Sequence, residues 1–403
     1  MAYYSDLLNL KDERFFKNLA VSSLYIYTIR FIDFALITWI LTDISNNPST
    51  FGLLIFVKFS PMMFSGLISG WLVDKVTRLT LIKVVIYITS LYLLFWAVYL
   101  FYFEPSLIII FILTFISGIL ISLDISARQS YLASLVKRKR LRAGIALNII
   151  LLNIAWFIGP NIGIFFMNFM TFDKLYLLMT LINSINLFFL YKMPKLSIPK
   201  SEKNKYSGMS KGISFALSNK IILSTLLILA IGNFSAFTFE SMTPYVARFI
   251  YNATPEQFSL MISLQGLGAL IGSIIFFPFL IKISRPGLIF AISTITLCIG
   301  SIIFTINDSF ISGCITIAIL GAGTTFFMNM HSRILLSQTP NPLRGRIQGL
   351  AQIGIGFFPI GSLLVGILGD NIGILNSMRV FSYIGITCTA IVLIYFKELK
   401  KKL

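Results

Sequence analysis

The 403-residue chain is poor in acid, histidine and cysteine. It has 15 Asp and Glu against 33 Lys and Arg, and a single His. Charged residues make up only 12% of it, about half the share usual in a soluble domain. One histidine, His331, is too few for a His-based metal site or for a Cys–His or Ser–His pair. The 3 cysteines, Cys298, Cys314 and Cys388, lie in apolar stretches at no metal-ligand spacing and read as small core residues. No G-x-x-x-x-G-K-[ST] loop is present, so an ATP-driven mechanism is excluded and no cofactor is expected. No cluster of carboxylates and no histidine base falls at a membrane surface, which argues against a membrane-embedded transferase. Nothing resembles a cleaved signal peptide: MAYYSDLLNLKDERFF is polar and mixed in charge, so the first apolar run is expected to remain as a membrane helix.

What the chain has is apolar length. Hydrophobic residues make up 57% and mean hydropathy is +0.87. A spanning helix needs roughly 20 apolar residues, and the sequence offers twelve such runs, near 17–42, 50–72, 80–103, 106–126, 142–168, 173–191, 221–247, 256–281, 287–306, 310–331, 346–368 and 375–396. The longest polar segment, 191–212, divides them six and six. It reads as a flexible linker, followed by a short amphipathic surface helix in GISFALSNK. The expected architecture is therefore an all-α membrane protein. A six-helix bundle over 1–191 and another over 221–403 flank a linker over 192–220.

The +18 net charge follows the same layout. With the N-terminus inside, the inner segments hold 28 of the 33 Lys and Arg, and the outer ones only Lys174, Arg248 and Arg379, with Arg30 and Lys58 inside spans. This positive-inside bias places both termini in the cytoplasm. It explains the basic charge without nucleic acid and adds a secondary attraction to anionic lipid. The halves also echo each other: D-K-V-T-R (74–78) against I-K-I-S-R (281–285), and L-R-A-G-I (141–145) against L-R-G-R-I (343–347). Two echoes at matching places favour a duplicated transporter.

The loop SGWLVDKVTRLTL (69–81) carries an acid that topology does not require. It resembles the loop signature of the major facilitator superfamily, Gly-x-x-x-Asp-(Arg/Lys)-x-Gly-Arg-(Arg/Lys), through Gly70, Asp74, Lys75 and Arg78; Thr77 and Leu79 depart from it. AWFIGPNIGI (155–164) resembles the fifth-helix antiporter motif of exporters in that superfamily. Gly159, Pro160 and Gly163 match, and Ala155 stands in for an outer glycine. Small residues there allow close helix approach, and the motif implies efflux. Asp124 and Arg128, four apart, share a helix face. The resemblance further implies that Arg128 reaches Asp74 as a cytoplasmic latch, with Arg333 at the corresponding place in the second half. QTPNPLRGRIQGLAQIGIGFFPIGSLLVG (338–366) is similar to the branch that includes the enterobactin exporter, the macrolide-efflux proteins and the transmembrane secretion effectors.

Ionisable residues within spans are costly and mark function. Arg30 and Asp33 lie three apart in the first run and can satisfy each other. Lys58 lies in the second and can snorkel outward. Glu240, in the seventh, has no sequence-near partner and is the better proton-site candidate. The expectation is a secondary transporter of a bacterial plasma membrane, monomeric, exporting an amphipathic small molecule (drug-like, macrolide or siderophore) against proton entry. A lipid flippase or a non-transporting sensor of the same fold are the alternatives.

Overall fold

The computed structural model describes residues 15–136, 140–191, 193–194, 209–280, 283–340 and 343–402; of 64–75, 142, 209–210 and 276–280 it describes the backbone alone. Among the described residues all regular structure is helical. The first six helices are α1 (Phe16–Ile44), α2 (Pro48–Lys75), α3 (Arg78–Tyr102), α4 (Leu107–Leu135), α5 (Leu141–Met167) and α6 (Phe172–Tyr191). The amphipathic segment forms α7 (Met209–Ser218). The seventh apolar run is one spanning stretch, Lys220–Ile250, with an irregular ladder. It is α8 (Lys220–Ile231), a π-helical turn (Gly232–Ala236), α9 (Thr238–Tyr245) and a second π-helical turn (Val246–Ile250). Then follow α10 (Pro255–Leu280), α11 (Pro286–Ile306), α12 (Phe310–Gln338), α13 (Arg344–Ile355), α14 (Phe357–Ile372), α15 (Ile374–Tyr395) and a 3-10 turn at Lys397–Lys400. Among the described residues 11 stretches are long and apolar enough to span a membrane.

The helix starts follow from local chemistry. Ser106 and Ser309 are extended N-caps whose hydroxyls accept the Ile109 and Ser312 amides, so α4 and α12 begin alike and each runs 29 residues. Counted from these caps, Arg128 corresponds to His331 rather than to Arg333, which lies two residues further along its helix. Asn219 caps α8 through the Ile221 and Ile222 amides. Gly373, at φ +81°, makes the turn between α14 and α15, a conformation that favours glycine.

The chain forms two compact units, and their borders cut two helices. The first comprises Met1–Ile44, Phe64–Lys200 and Pro255–Gly266; the second, Ser45–Met63, Ser201–Thr254 and Leu267–Leu403. In the first unit α1 packs along α5, and α3 along α4 and α6. The contact of α1 with α5 depends on small residues. A Cβ on Gly159 would lie 2.8 Å from Phe31 Cβ and 3.1 Å from the Thr28 carbonyl, and one on Gly163 would lie 3.0 Å from Ile32. Ala155 is fully buried beside Ile26 and Tyr27. The start of α10 joins this unit through Asn161, whose amide donates to Ser263 Oγ (2.9 Å) and whose carbonyl accepts from Ser259 Oγ (3.2 Å).

In the second unit α11 lies between α12 and α15, and the opening turns of α2 lie on α14. A Cβ on Gly366 would meet the Pro48 carbonyl at 2.7 Å, and Asp370 accepts the Ser49 amide at 3.0 Å, capping α2. The C-terminal turn buries Leu399 against Gly287, and Lys220 lies 3.7 Å from Glu398. The Glu398 carboxyl is held below its usual range, first by a backbone N–H and then by the Lys220 and Lys401 charges.

Candidate functional site: a buried ionic cluster in the first unit

Three ionisable side chains meet inside the first unit, and a fourth, Asp33, lies one turn away on α1. Asp124, on α4, is 0% exposed. It pairs with two guanidiniums: Arg128 one turn on, with Nε 2.9 and 2.8 Å from its two oxygens, and Arg30 of α1, with Nη2 3.1 Å from Oδ2. The i,i+4 spacing of Asp124 and Arg128 gives the first pair without rearrangement of the helix. Arg128 Nη1 also donates to Ser22 (3.1 Å) and Ser23 (3.2 Å) on α1, so one side chain ties α1 to α4. Tyr27 and Asn148 exchange hydrogen bonds beside the cluster, and Asn186 donates to the Ser22 carbonyl.

Asp33 lies one turn along α1 from Arg30 and is 2% exposed. The hydroxyl of Tyr92 (α3) donates to both its oxygens, at 3.0 and 3.2 Å, and that of Tyr176 (α6) donates to Oδ1 at 3.2 Å. Tyr176 is held by stacking on Trp96, ring centres 5.5 Å apart. Three helices therefore fix the position of this carboxylate. A small cavity of about 10 Å³, close to what one water requires, lies between α1, α3 and α4, lined by Arg30, Asp33, Thr89, Tyr92 and Ser117. The expectation that Arg30 and Asp33 satisfy each other is met differently. Arg30 reaches across to Asp124, at 3.1 Å.

The other residues singled out from the sequence lie apart from this cluster. Arg78 opens α3 and donates from Nη1 to the Ser130 carbonyl (3.2 Å) and to Ser134 Oγ, which ties the loop to the end of α4. Gly70 lies on α2 where the backbone alone is described, and the side chains of Asp74 and Lys75 lie outside the described residues, so the latch from Asp74 to Arg128 does too; the described partners of Arg128 are Asp124, Ser22 and Ser23. Pro160 is buried within α5. Lys58, in the second unit, is 4% exposed, so its ammonium does not snorkel to a surface. Glu240 is half-buried in the first turn of α9, between the two π-helical turns. Such turns interrupt the regular ladder and are frequent at functional sites. His331 is buried in the second unit. Its Nδ1 lies 3.0 Å from the Phe327 carbonyl and its Nε2 3.1 Å from Ser332 Oγ, with Phe290 and Phe327 alongside. Reading the sequence missed Tyr92 and Tyr176. The available signal was a hydroxyl-bearing aromatic in the middle of an apolar run, where an O–H needs a partner.

Ionisable groups held inside a hydrophobic bundle mark a functional site, and four lie close together here. The transmembrane secretion effector family matches residues 9–402. The chain belongs to that family. It is a branch of the major facilitator superfamily, and this member is a transporter, not an enzyme, and a multi-pass integral protein of a bacterial inner membrane. Among curated relatives, the enterobactin exporter of Salmonella typhi is 25% identical over 301 residues, covering 74% of this chain and 72% of that protein. The staphyloferrin A transporter of Staphylococcus aureus is 22% identical over 384 residues, covering 91% and 92%. Two solved structures share the fold. A D-xylose-proton symporter superposes with a TM-score of 0.74 at 14% identity, covering 96% of this chain and all of that one. A bacterial homologue of the human lysosomal transporter Spinster, inward-facing and unoccupied, superposes with a TM-score of 0.71 at 13% identity, covering 96% and 98%.

Proposed function

We propose that this family member is a secondary active exporter of an amphipathic small molecule of the siderophore class, driven by proton entry. In this reading twelve spanning helices form two six-helix bundles, over 1–191 and 221–403, joined by a cytoplasmic linker over 192–220, with both termini inside. The bundles rock about a central site by alternating access. The protein works as a monomer.

The observation that carries the reading is the set of ionisable groups held inside the spans: Arg30, Asp33, Asp124 and Arg128 in one cluster and Glu240 on an interrupted helix. A bilayer interior tolerates such groups where they serve an ion or substrate pathway. The relatives support the substrate class, since an enterobactin exporter and a staphyloferrin A transporter are similar to this chain. Gly159, Pro160 and Gly163 support the outward direction through their likeness to the exporters' fifth-helix motif.

Asp33 and Glu240 differ in what surrounds them. Asp33 is sealed beneath two tyrosine hydroxyls, which suits a fixed anchor. Glu240 is half-buried on a segment that already departs from regular helix, which suits a group that loads a proton from one side and releases it to the other. We assign proton coupling to Glu240. Arg78, with Gly70, Asp74 and Lys75, forms the inner gating loop in this reading.

The test is a substrate panel in a susceptible bacterial strain, with and without overexpression of the protein: enterobactin, staphyloferrin A, a macrolide and a lysophospholipid. Overexpression should raise siderophore in the medium and lower it in the cell. A response confined to the macrolide or to the lysophospholipid defeats the siderophore assignment.

A further inference from the structure

Resting on that reading, we infer that α2 and α10 are hinged levers: each bends at its middle, α2 at Pro61 and α10 between Gly266 and Gly268, and these two bends carry the movement that alternates access. The chain passes between its two compact units five times. Two passages, after Ile44 and after Thr254, fall between helices, and one, after Lys200, lies outside the described residues. The other two fall inside helices, after Met63 in α2 and after Gly266 in α10. A loop absorbs a displacement by rotating a few dihedrals. A helix transmits it unless its hydrogen-bond ladder is weak at some point.

Both helices are weak next to the passage. Pro61 has no N–H, so the Val57 carbonyl lacks the partner that a regular helix provides, and the Ser60 hydroxyl donates to it instead at 3.4 Å. In α10, Gly266 and Gly268 stand either side of Leu267, and glycine loosens a helix interior relative to alanine. The two places correspond in the internal repeat. Pro48 and Pro255 open the helices; Phe51 and Phe258, Leu53 and Leu260, and Ile55 and Ile262 follow at the same spacing. On that count Pro61 and Gly268 are each the fourteenth residue. The same alignment sets D-K-V-T-R (74–78) against I-K-I-S-R (281–285).

The segments before the bends are held firmly. The first turns of α2 lie on α14 in the second unit: Asp370 accepts the Ser49 amide, and a Cβ on Gly52 would run into the Ser362 carbonyl. The first half of α10 is held in the first unit by Asn161 and by Asn168, which donates to Glu256 at 3.2 Å. A Cβ on Gly266 would lie 2.8 Å from the Phe157 amide nitrogen of α5. Two residues further on, the grip changes. A Cβ on Gly268 would run into the Ala318 carbonyl of α12, one on Gly272 would lie 2.9 Å from the Ala322 carbonyl, and Thr325 donates to the Ala269 carbonyl at 3.3 Å. Residues two apart on a helix point to different sides, so α10 passes from α5 to α12 within one turn. A displacement of α5 against α12 therefore acts as a bending moment at Leu267.

The experiment uses the full chain, in lipid nanodiscs for amide hydrogen exchange and in liposomes for transport of iron-free staphyloferrin A. In wild type, amides over 58–66 and 264–269 should exchange about 10-fold faster than those over 52–56 and 270–274. Pro61→Ala restores an N–H and stiffens α2. It should slow exchange over 58–66 and slow turnover by about 10-fold, with apparent affinity within about 2-fold of wild type. Pro61→Gly restores the N–H without the stiffness and should keep turnover within about 3-fold of wild type. Thermal unfolding in detergent checks that both variants fold. Exchange at the two bends no faster than in the neighbouring turns would overturn the hinges, whether or not the probe is carried. Wild-type turnover in Pro61→Ala would do the same, as would equal slowing in both variants, which would make the proline ring a packing element. Wild type that shows the fast exchange but carries no staphyloferrin A would overturn the siderophore reading and leave the hinges standing.

Discussion

Replacing Asp124 by Asn should be among the most damaging single-atom changes in this protein. The substitution keeps the shape and removes one charge. Arg128 would lose a carboxylate that it contacts through Nε at 2.8 and 2.9 Å, and Arg30 would lose the one at 3.1 Å. Removing one partner of a buried ion pair costs about 3–5 kcal/mol, because the remaining charge stays buried without compensation. Here two cations are left, and the serine hydroxyls at Ser22 and Ser23 offset only part of the loss. For a bundle of roughly 150–250 residues, each kcal/mol lowers the melting temperature by about 2–4 °C, so Asp124→Asn should melt about 6–20 °C below wild type. The assay is thermal unfolding in mild detergent, followed by tryptophan fluorescence; Trp96 is fully buried and stacks on Tyr176, close to the cluster. The double variant Asp124→Asn with Arg128→Gln should recover part of the stability, since it deletes a charge along with its counter-charge. If Asp124→Asn melts within a degree of wild type, or the double variant is no better than the single, the cluster is not the ionic keystone of this unit.

Further expectations concern the second carboxylate and the helix seam. Tyr92→Phe removes the hydroxyl that reaches both Asp33 oxygens and should cost about 1.5–3 kcal/mol by the same melting assay, whereas Tyr176→Phe, which removes a single 3.2 Å bond, should cost less. Gly159→Val should destabilise the α1–α5 contact by about 1–3 kcal/mol or more, because the new side chain meets Phe31 and the Thr28 carbonyl. Gly345→Ala, with open space around its Cα, should melt like wild type and serves as the control.

The sequence carried the helices well and the cluster poorly, for separable reasons. Apolar runs at 142–168 and 173–191 match α5 (Leu141–Met167) and α6 (Phe172–Tyr191) to within a residue, since length and hydropathy decide what enters a bilayer. The seventh run is one spanning stretch, Lys220–Ile250, but its ladder changes from α to π twice, at Gly232–Ala236 and Val246–Ile250. Hydropathy is blind to a change from the α to the π ladder, which tertiary packing decides. Arg30 and Asp33 stood out as charges in an apolar run, and Asp124 as a residue sharing a face with Arg128. Their cross-helix partners did not stand out. Tyr92 and Tyr176 are two of 16 tyrosines, and nothing in their local spacing distinguishes them. Which hydroxyl meets Asp33 depends on the rotation of α3 and α6 about their axes, and that is fixed by packing along the whole length of both helices. The same is true of Arg30, whose nearest acid along the chain is Asp33 and whose ion-pair partner is 94 positions further on, at Asp124.

The central claim is that export is coupled to proton entry through Glu240, and it is tested most directly by purified protein in liposomes loaded with siderophore. Transport is measured with and without an imposed pH gradient, for wild type and for Glu240→Gln. Gln mimics a carboxylate that is permanently protonated, so the variant should still exchange substrate down its concentration gradient while losing the acceleration that the pH gradient gives wild type. Full response of Glu240→Gln to the gradient would contradict the account and place the coupling elsewhere.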